Sequence, residues 1–167
     1  ISAEPFQDRD HYVRLLEMQY RFHRAIEGLY SRSLPLPAAL DLPARRRLDR
    51  VRQDLEDLGR SPPENEGARP FHTARVDAAT AIGWLWVAEG STLGAASLLK
   101  RAAALGLDET FGARHLAGHP DGRAKSWKHF TAAVDALDLD QVDDALMLGG
   151  ARDAFLYARR LADASFA

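Results

Sequence analysis

Apolar residues return along this chain at the spacing of helix faces from near its start to its end. Tyr12, Leu15, Leu16, Phe22, Ile26, Leu29 and Tyr30 fall on one face and predict a helix over 9–31, capped by Asp8 or Asp10. Pro35, Pro37 and Pro43 then break the chain. Leu48, Val51, Leu55 and Leu58 predict a second helix over 45–58, with Gly59 as its stop. After a loop rich in Pro, Gly and Glu, Thr73 or Asp77 can cap a long central helix that runs to Leu105 and stops at Gly106. Residues 108–116 read as a short helix and 118–122 as a turn. Residues 123–137 read as a helix with Trp127, Phe130, Val134 and Leu137 spaced for burial. Asp140 caps a last helix carrying Val142, Leu146, Phe155, Leu156 and Leu161, which Gly149 and Gly150 are expected to interrupt. No segment sustains a period of two, so the fold class is all-α, one helical domain over 1–167.

The central pattern contains a defect. Residues 81–88 are strongly apolar, residues 98–105 are helical again, and between them lie Gly90, Ser91, Gly94, Ala95, Ala96 and Ser97. Each glycine inside a helix costs about 1 kcal/mol relative to alanine, so something must offset the pair. Four-residue spacing puts Gly90 and Gly94 on one face, where the backbone itself is open to approach. The approaching body is either a second helix or a planar ligand around which the helix can kink. The residues alone leave both open. Gln19 and His23, one turn apart, are either a hydrogen-bonded boundary pair or a pair facing a wet pocket. Arg45, Arg46 and Arg47 read as a solvated helix start. Cations are mildly unfavourable there, so one of them is expected to have a partner.

Composition removes several classes of function. The 167 residues are 46% hydrophobic and 28% charged with a net charge of −2, which does not suit a general nucleic-acid binder. The apolar run 81–88 is too short to span a bilayer, so no membrane partner is expected. The absence of cysteine excludes disulfides, thiolate zinc sites and iron–sulfur clusters, and fits a cytoplasmic location. None of the six histidines forms a recognisable metal-binding pair. His115 and His119 are four apart, but Gly118 and Pro120 argue against a continuous helix through both. No nucleophile elbow or phosphate loop is present. If the chain is an enzyme, a bound cofactor carries the reaction.

An ordered set of stretches resembles the bacterial heme oxygenases of the iron-acquisition type. GWLWVAEGSTLGAA at 83–96 is similar to their distal helix. FGARHL at 111–116, HPDGR at 119–123, QDLEDLG at 53–59, FHR at 22–24 and GARDAF at 150–155 match as well, and the resemblance runs over 5–166. It implies a heme held between two helices and cleaved with dioxygen and electrons to biliverdin, carbon monoxide and ferrous iron. The electrons would come from a reductase or ferredoxin. Gly90, Ser91 and Gly94 would bring bare backbone to the heme, and Gln19, His23 and Arg47 would anchor the water that delivers protons. Trp86 and Phe155 would contact the heme, with Lys100 and Arg101 as candidate propionate partners. Trp86 stands where some relatives have a tyrosine near a propionate. No residue here matches the proximal histidine, so that ligand and its helix are expected upstream of Ile1. A heme carrier without turnover, and a helical interaction module that uses Gly90 and Gly94 only for packing, are the alternatives.

Overall fold

The computed structural model describes residues 4–31, 34–64, 71 and 76–167. Five α-helices account for most of it: α1 (Arg9–Ile26), α2 (Leu48–Asp57), α3 (Ala78–Ala103), α4 (Arg123–Asp135) and α5 (Gln141–Phe166). Among the described residues there is no strand, only isolated bridges from Asp108 to Phe111 and Gly112. No helix among them is long and apolar enough to cross a membrane.

Local chemistry sets the helix ends. Asp8 accepts the backbone N–H of His11 at 2.8 Å, and Asp77 accepts that of Thr80 at 2.7 Å. Asp140 and Asp143 form a reciprocal capping box at the start of α5. Thr73, the other cap expected for α3, lies outside the described residues, as does His72. Gly59 and Gly106 end their helices at φ 68° and 74°, in the left-handed region that costs a glycine little.

Several boundaries differ from the sequence reading. The first helix tightens into a 3₁₀ turn at Glu27–Tyr30. Arg45 belongs to a separate 3₁₀ turn, Leu42–Arg45, and α2 starts only at Leu48, because Arg45 is drawn inward by a buried carboxylate described below. Residues 108–113 form a turn closed by Asp108, which accepts the N–H of Thr110 and Phe111. Only Arg114–Leu116 is helical there, as a single 3₁₀ turn. α3 passes through Gly90 and Gly94 as unbroken helix and ends at Ala103, short of Leu105.

The largest correction concerns α5, which is continuous through Gly149 and Gly150. α3 and α5 cross with their backbones in contact. A Cβ on Gly150 would overlap the carbonyl oxygen of Thr80, and one on Gly83 would overlap that of Met147 and lie 2.7 Å from the amide nitrogen of Ala151. The glycine-mediated helix packing of this fold is therefore between Gly83 and Gly150. α5 buries Gly150 and Ala154 and packs Met147, Tyr157, Ala158 and Leu161 on the core. Val142, Phe155 and Leu156 are exposed instead.

The core has two parts. One joins the C-terminal half of α1 to α3, α4 and α5 through Phe22, Ile26, Ile82, Leu85 and Phe130. The other joins the N-terminal half of α1 to α2 and the end of α3 through Tyr12, Leu16, Val51, Leu55 and Ala102. Polar groups converge beside them.

Candidate functional site

A cleft of about 460 Å³ opens between α1, α3, α4 and α5. α1 supplies Met18, Gln19 and Phe22. α3 supplies Trp86, Val87, Ala88, Gly90 and Ser91, with Trp127 from α4 and Phe155, Ala158 and Leu161 from α5. The Trp127 ring meets Trp86 edge to face at 5.0 Å and stacks on Phe130 at 5.8 Å, which fixes the aromatic wall. None of these lining residues is titratable. The Ser91 hydroxyl is turned back to the Ala88 carbonyl at 2.7 Å, so α3 presents backbone rather than an acid or base.

The glycines behave differently from the packing pair. A Cβ at Gly90 would touch only the Trp127 ring, at 3.5 Å, and one at Gly94 would meet nothing within 4 Å. No described residue packs on the bare face of Gly94.

A buried polar system lies around α3 and α1. Glu89, 2% exposed, accepts from Tyr30 Oη at 2.9 Å, Arg45 Nη1 at 3.1 Å and Arg47 Nη1 at 3.2 Å. Arg45 also donates to the Leu40 carbonyl at 2.8 Å and to Ser126 Oγ at 3.1 Å, and its guanidinium lies 5.4 Å from the Phe130 ring centre. Burying such charges is costly, and full hydrogen bonding on both sides is what makes it tolerable. Burial, followed by the charge of Glu89, drives the Tyr30 phenol well above its ordinary pKa, so it stays a neutral donor. Asp54 and Asp57 form a second centre. Asp54, fully buried, accepts the backbone N–H of Arg114 at 2.8 Å and of His115 at 2.9 Å, and its Oδ2 lies 2.8 Å from His115 Nδ1. Asp57 accepts the Gly112 N–H at 2.8 Å and pairs with the Arg114 guanidinium. These contacts join residues 53–59 to 111–116, two of the stretches that carried the resemblance.

The residues singled out from the sequence divide into three groups. Gln19, Trp86, Gly90, Ser91 and Phe155 line the cleft together. His23 and Arg47 lie deeper: His23 is 6% exposed on α1, and Arg47, just before α2, is held by Glu89 and the Arg45 carbonyl. Gly94 is exposed one turn beyond Gly90. Lys100 and Arg101 are exposed about two turns farther along α3, where Arg101 pairs with Glu4 at 2.8 Å and stacks on Phe6. The expectation of a solvated start at 45–47 fails at Arg45, which is 7% exposed. Sequence reasoning did not single out Glu89, Asp54 or the cleft-lining Met18 and Val87, and it left open which of Arg45, Arg46 and Arg47 has a partner. An acid inside the apolar run 81–88 and its continuation was the one signal for Glu89.

Burial, then the charges of Arg47 and His115, lower the His23 pKa from 6.5 to about 3. The unfolded chain binds a proton at this ring below about 6.5, and the folded protein does not until about 3. Between those values the unfolded state holds more protons, so stability is expected to fall as pH drops from 6.5. The contribution reaches about 1.4 kcal/mol per pH unit, and a His23→Gln variant should show a shallower loss in urea unfolding between about pH 6 and 5.

An all-helical fold with an apolar cleft walled by bare helix backbone is the architecture of a protein that takes a large, flat, apolar ligand. Residues 2–164 match the model of the heme oxygenase family, and the chain belongs to that family. It is 45% identical over 166 residues to the heme oxygenase PigA of Pseudomonas aeruginosa, covering 99% of this chain and 83% of that protein. Its fold matches the NO- and CO-bound heme oxygenase of Neisseria meningitidis with a TM-score of 0.87 and 38% identity, over 99% of this chain and 81% of that one. The cleft suits heme as the substrate: its walls are aromatic and aliphatic, and at Gly90 only the Trp127 ring lies beside the bare backbone.

Proposed function

We propose that this protein opens the heme macrocycle with dioxygen and electrons to biliverdin, carbon monoxide and ferrous iron, releasing iron for the cell. The observation that carries this reading is a cleft without a titratable lining residue, walled by the backbone of Gly90 and Ser91. Such a site has no acid or base of its own to offer, so the bound heme supplies the redox chemistry. The chain's residues bind and orient it. Trp86, Trp127 and Phe155 cover apolar surface, and Gly90, Ser91 and Gly94 let the macrocycle approach α3. Gln19 at the cleft, with His23 and Arg47 behind it, anchors water through which protons arrive. With a pKa near 3, His23 is neutral at working pH, able to accept one hydrogen bond and donate another. Lys100 and Arg101 would serve the propionates only from the far end of α3, and Arg101 would first have to leave Glu4. Electrons would come from a reductase or ferredoxin.

The test uses the full-length protein loaded with heme, a chemical reductant and air. Loss of the Soret band with formation of biliverdin and carbon monoxide is expected. A stable oxygen complex that keeps its Soret band would overturn the oxygenase reading and leave a carrier. His23→Ala is expected to slow turnover about tenfold while heme affinity changes less than about twofold, because the ring orders water without holding heme. A large loss of affinity with unchanged turnover would contradict that role.

A further inference from the structure

Among the described residues, Trp127 is the one that α4 contributes to the cleft. Its ring carbons Cη2 and Cζ3 lie 3.5 and 3.7 Å from the place where a Cβ on Gly90 would stand. Arg45 ties the two helices together beside this contact. Its Nη1 donates to Glu89 Oε2 at 3.1 Å and to Ser126 Oγ at 3.1 Å, so a single nitrogen joins α3 to α4. Its Nη2 donates to the Ser126 carbonyl at 3.2 Å, and its Nε to the Leu40 carbonyl at 2.8 Å. The residues so joined are the chain neighbours of the cleft pair, since Glu89 precedes Gly90 and Ser126 precedes Trp127. The guanidinium also lies 5.4 Å from the centre of the Phe130 ring, which is fully buried and stacks on Trp127 at 5.8 Å. Trp127 is thus held from two sides by one side chain, through the residue before it and through the ring one turn on. Arg45 itself does not line the cleft.

We propose that Arg45 is a positioning residue that sets the gap between α3 and α4 at the cleft, and with it the place of the Trp127 wall against which a flat ligand seats. This rests on the oxygenase reading for its consequence on product, but not for the position of Trp127. The cleft has no titratable lining residue, so the shape of its walls locates a macrocycle within its own plane. A displaced Trp127 lets the macrocycle slide or turn, and a different carbon bridge is then opened. Arg45 touches neither substrate nor reacting atoms and acts through Ser126 and Phe130. The role needs an arginine. Its rigid planar fork reaches Glu89, Ser126 and Leu40 at once, whereas the single nitrogen of a lysine keeps the charge beside Glu89 but cannot span the three.

Proton NMR of the full-length protein without heme tests the position of Trp127 directly. The parent is expected to show a cross-relaxation peak between the Trp127 ring protons and the Gly90 α protons. Arg45→Lys is expected to lose it, while the peak from Gly83 to the Ala151 amide across the α3–α5 crossing stays. A Trp127–Gly90 peak at parental strength in a folded Arg45→Lys protein overturns the proposal. The second arm reads the product of heme-loaded protein given reductant and air. Arg45→Lys is expected to change the ratio of biliverdin isomers by about threefold or more, the net worth of one hydrogen bond expressed as a ratio. A variant that was merely less stable would give less product in the parental ratio. An unchanged ratio with Trp127 displaced overturns the seating role. If Arg45→Lys does not fold, Ser126→Ala takes its place. It removes one bond to α4, leaves the Arg45–Glu89 pair intact, and is expected to move both readings in the same direction; parental values in both overturn the proposal. If the parent protein does not degrade heme at all, the oxygenase reading fails, while the NMR arm still decides whether Arg45 holds Trp127.

Discussion

Alanine at Gly83 is expected to lower stability by about 3 kcal/mol or more, the range of changes that force packed elements apart. The added methyl would overlap the Met147 carbonyl and sit 2.7 Å from the Ala151 amide nitrogen. These are backbone atoms in the middle of a helix, so they cannot swing aside like the end of a side chain. α3 and α5 would have to separate along the contact that joins them. Alanine at Gly150 should behave alike, since its methyl would overlap the Thr80 carbonyl. Gly149 supplies the control. A methyl there would meet nothing within 4 Å, so Gly149→Ala is expected to stabilise by about 0.5 kcal/mol through the gain in helix propensity. Urea unfolding of the three variants checks the set. A Gly83→Ala midpoint equal to the parent's would mean that the crossing relaxes at little cost.

Leucine at Gly90 is expected to reduce heme turnover by about a hundredfold or more, with a much smaller effect on folding, since misplacing a reacting group by about 1 Å already costs that much. The position lines the cleft, and its Cβ would only touch the Trp127 ring. The rest of a leucine side chain would then occupy the space assigned to the macrocycle. Gly94→Leu is expected to fold normally as well, because nothing lies within 4 Å of its Cβ position, and to impair turnover by crowding the same face of α3. Heme titration followed by single-turnover absorbance reads both. Unchanged turnover in both variants would mean that the bare face of α3 is not where heme lies.

The two glycine pairs show how far local spacing reaches. Gly90 and Gly94 stood out because their four-residue repeat broke an apolar helix. Gly149 and Gly150 stood out too, but as an interruption of α5. Propensity alone supports that reading, since two glycines weaken a helix. The crossing of α3 over Gly150 reverses it, because contact made there stabilises the helix where its own sequence does not. Nothing within residues 141–166 records that Thr80 lies across them. The arginine run at 45–47 carries a similar lesson. An unfavourable start to a helix correctly implied a partner, but Glu89 is more than forty positions away, and only the fold brings both arginines to it. Asp54 and His115 were visible in separate motifs and not as a pair.

The sequence by itself determined the helical class, most helix ends and the family. Periodicity, side-chain caps and glycine stops act within a few residues, and the ordered motifs need no coordinates to be read. It also marked Gln19, Gly90, Ser91, Trp86 and Phe155, which the fold gathers around one cleft. Only the tertiary structure decided which glycines pack helices and which stand open. It alone showed that Glu89 and Asp54 are buried carboxylates around which the loops are ordered, and that His115 Nε2 has no hydrogen-bond partner among the described residues. Those facts depend on groups far apart in the chain, whose burial and hydrogen bonding exist only once the helices have packed.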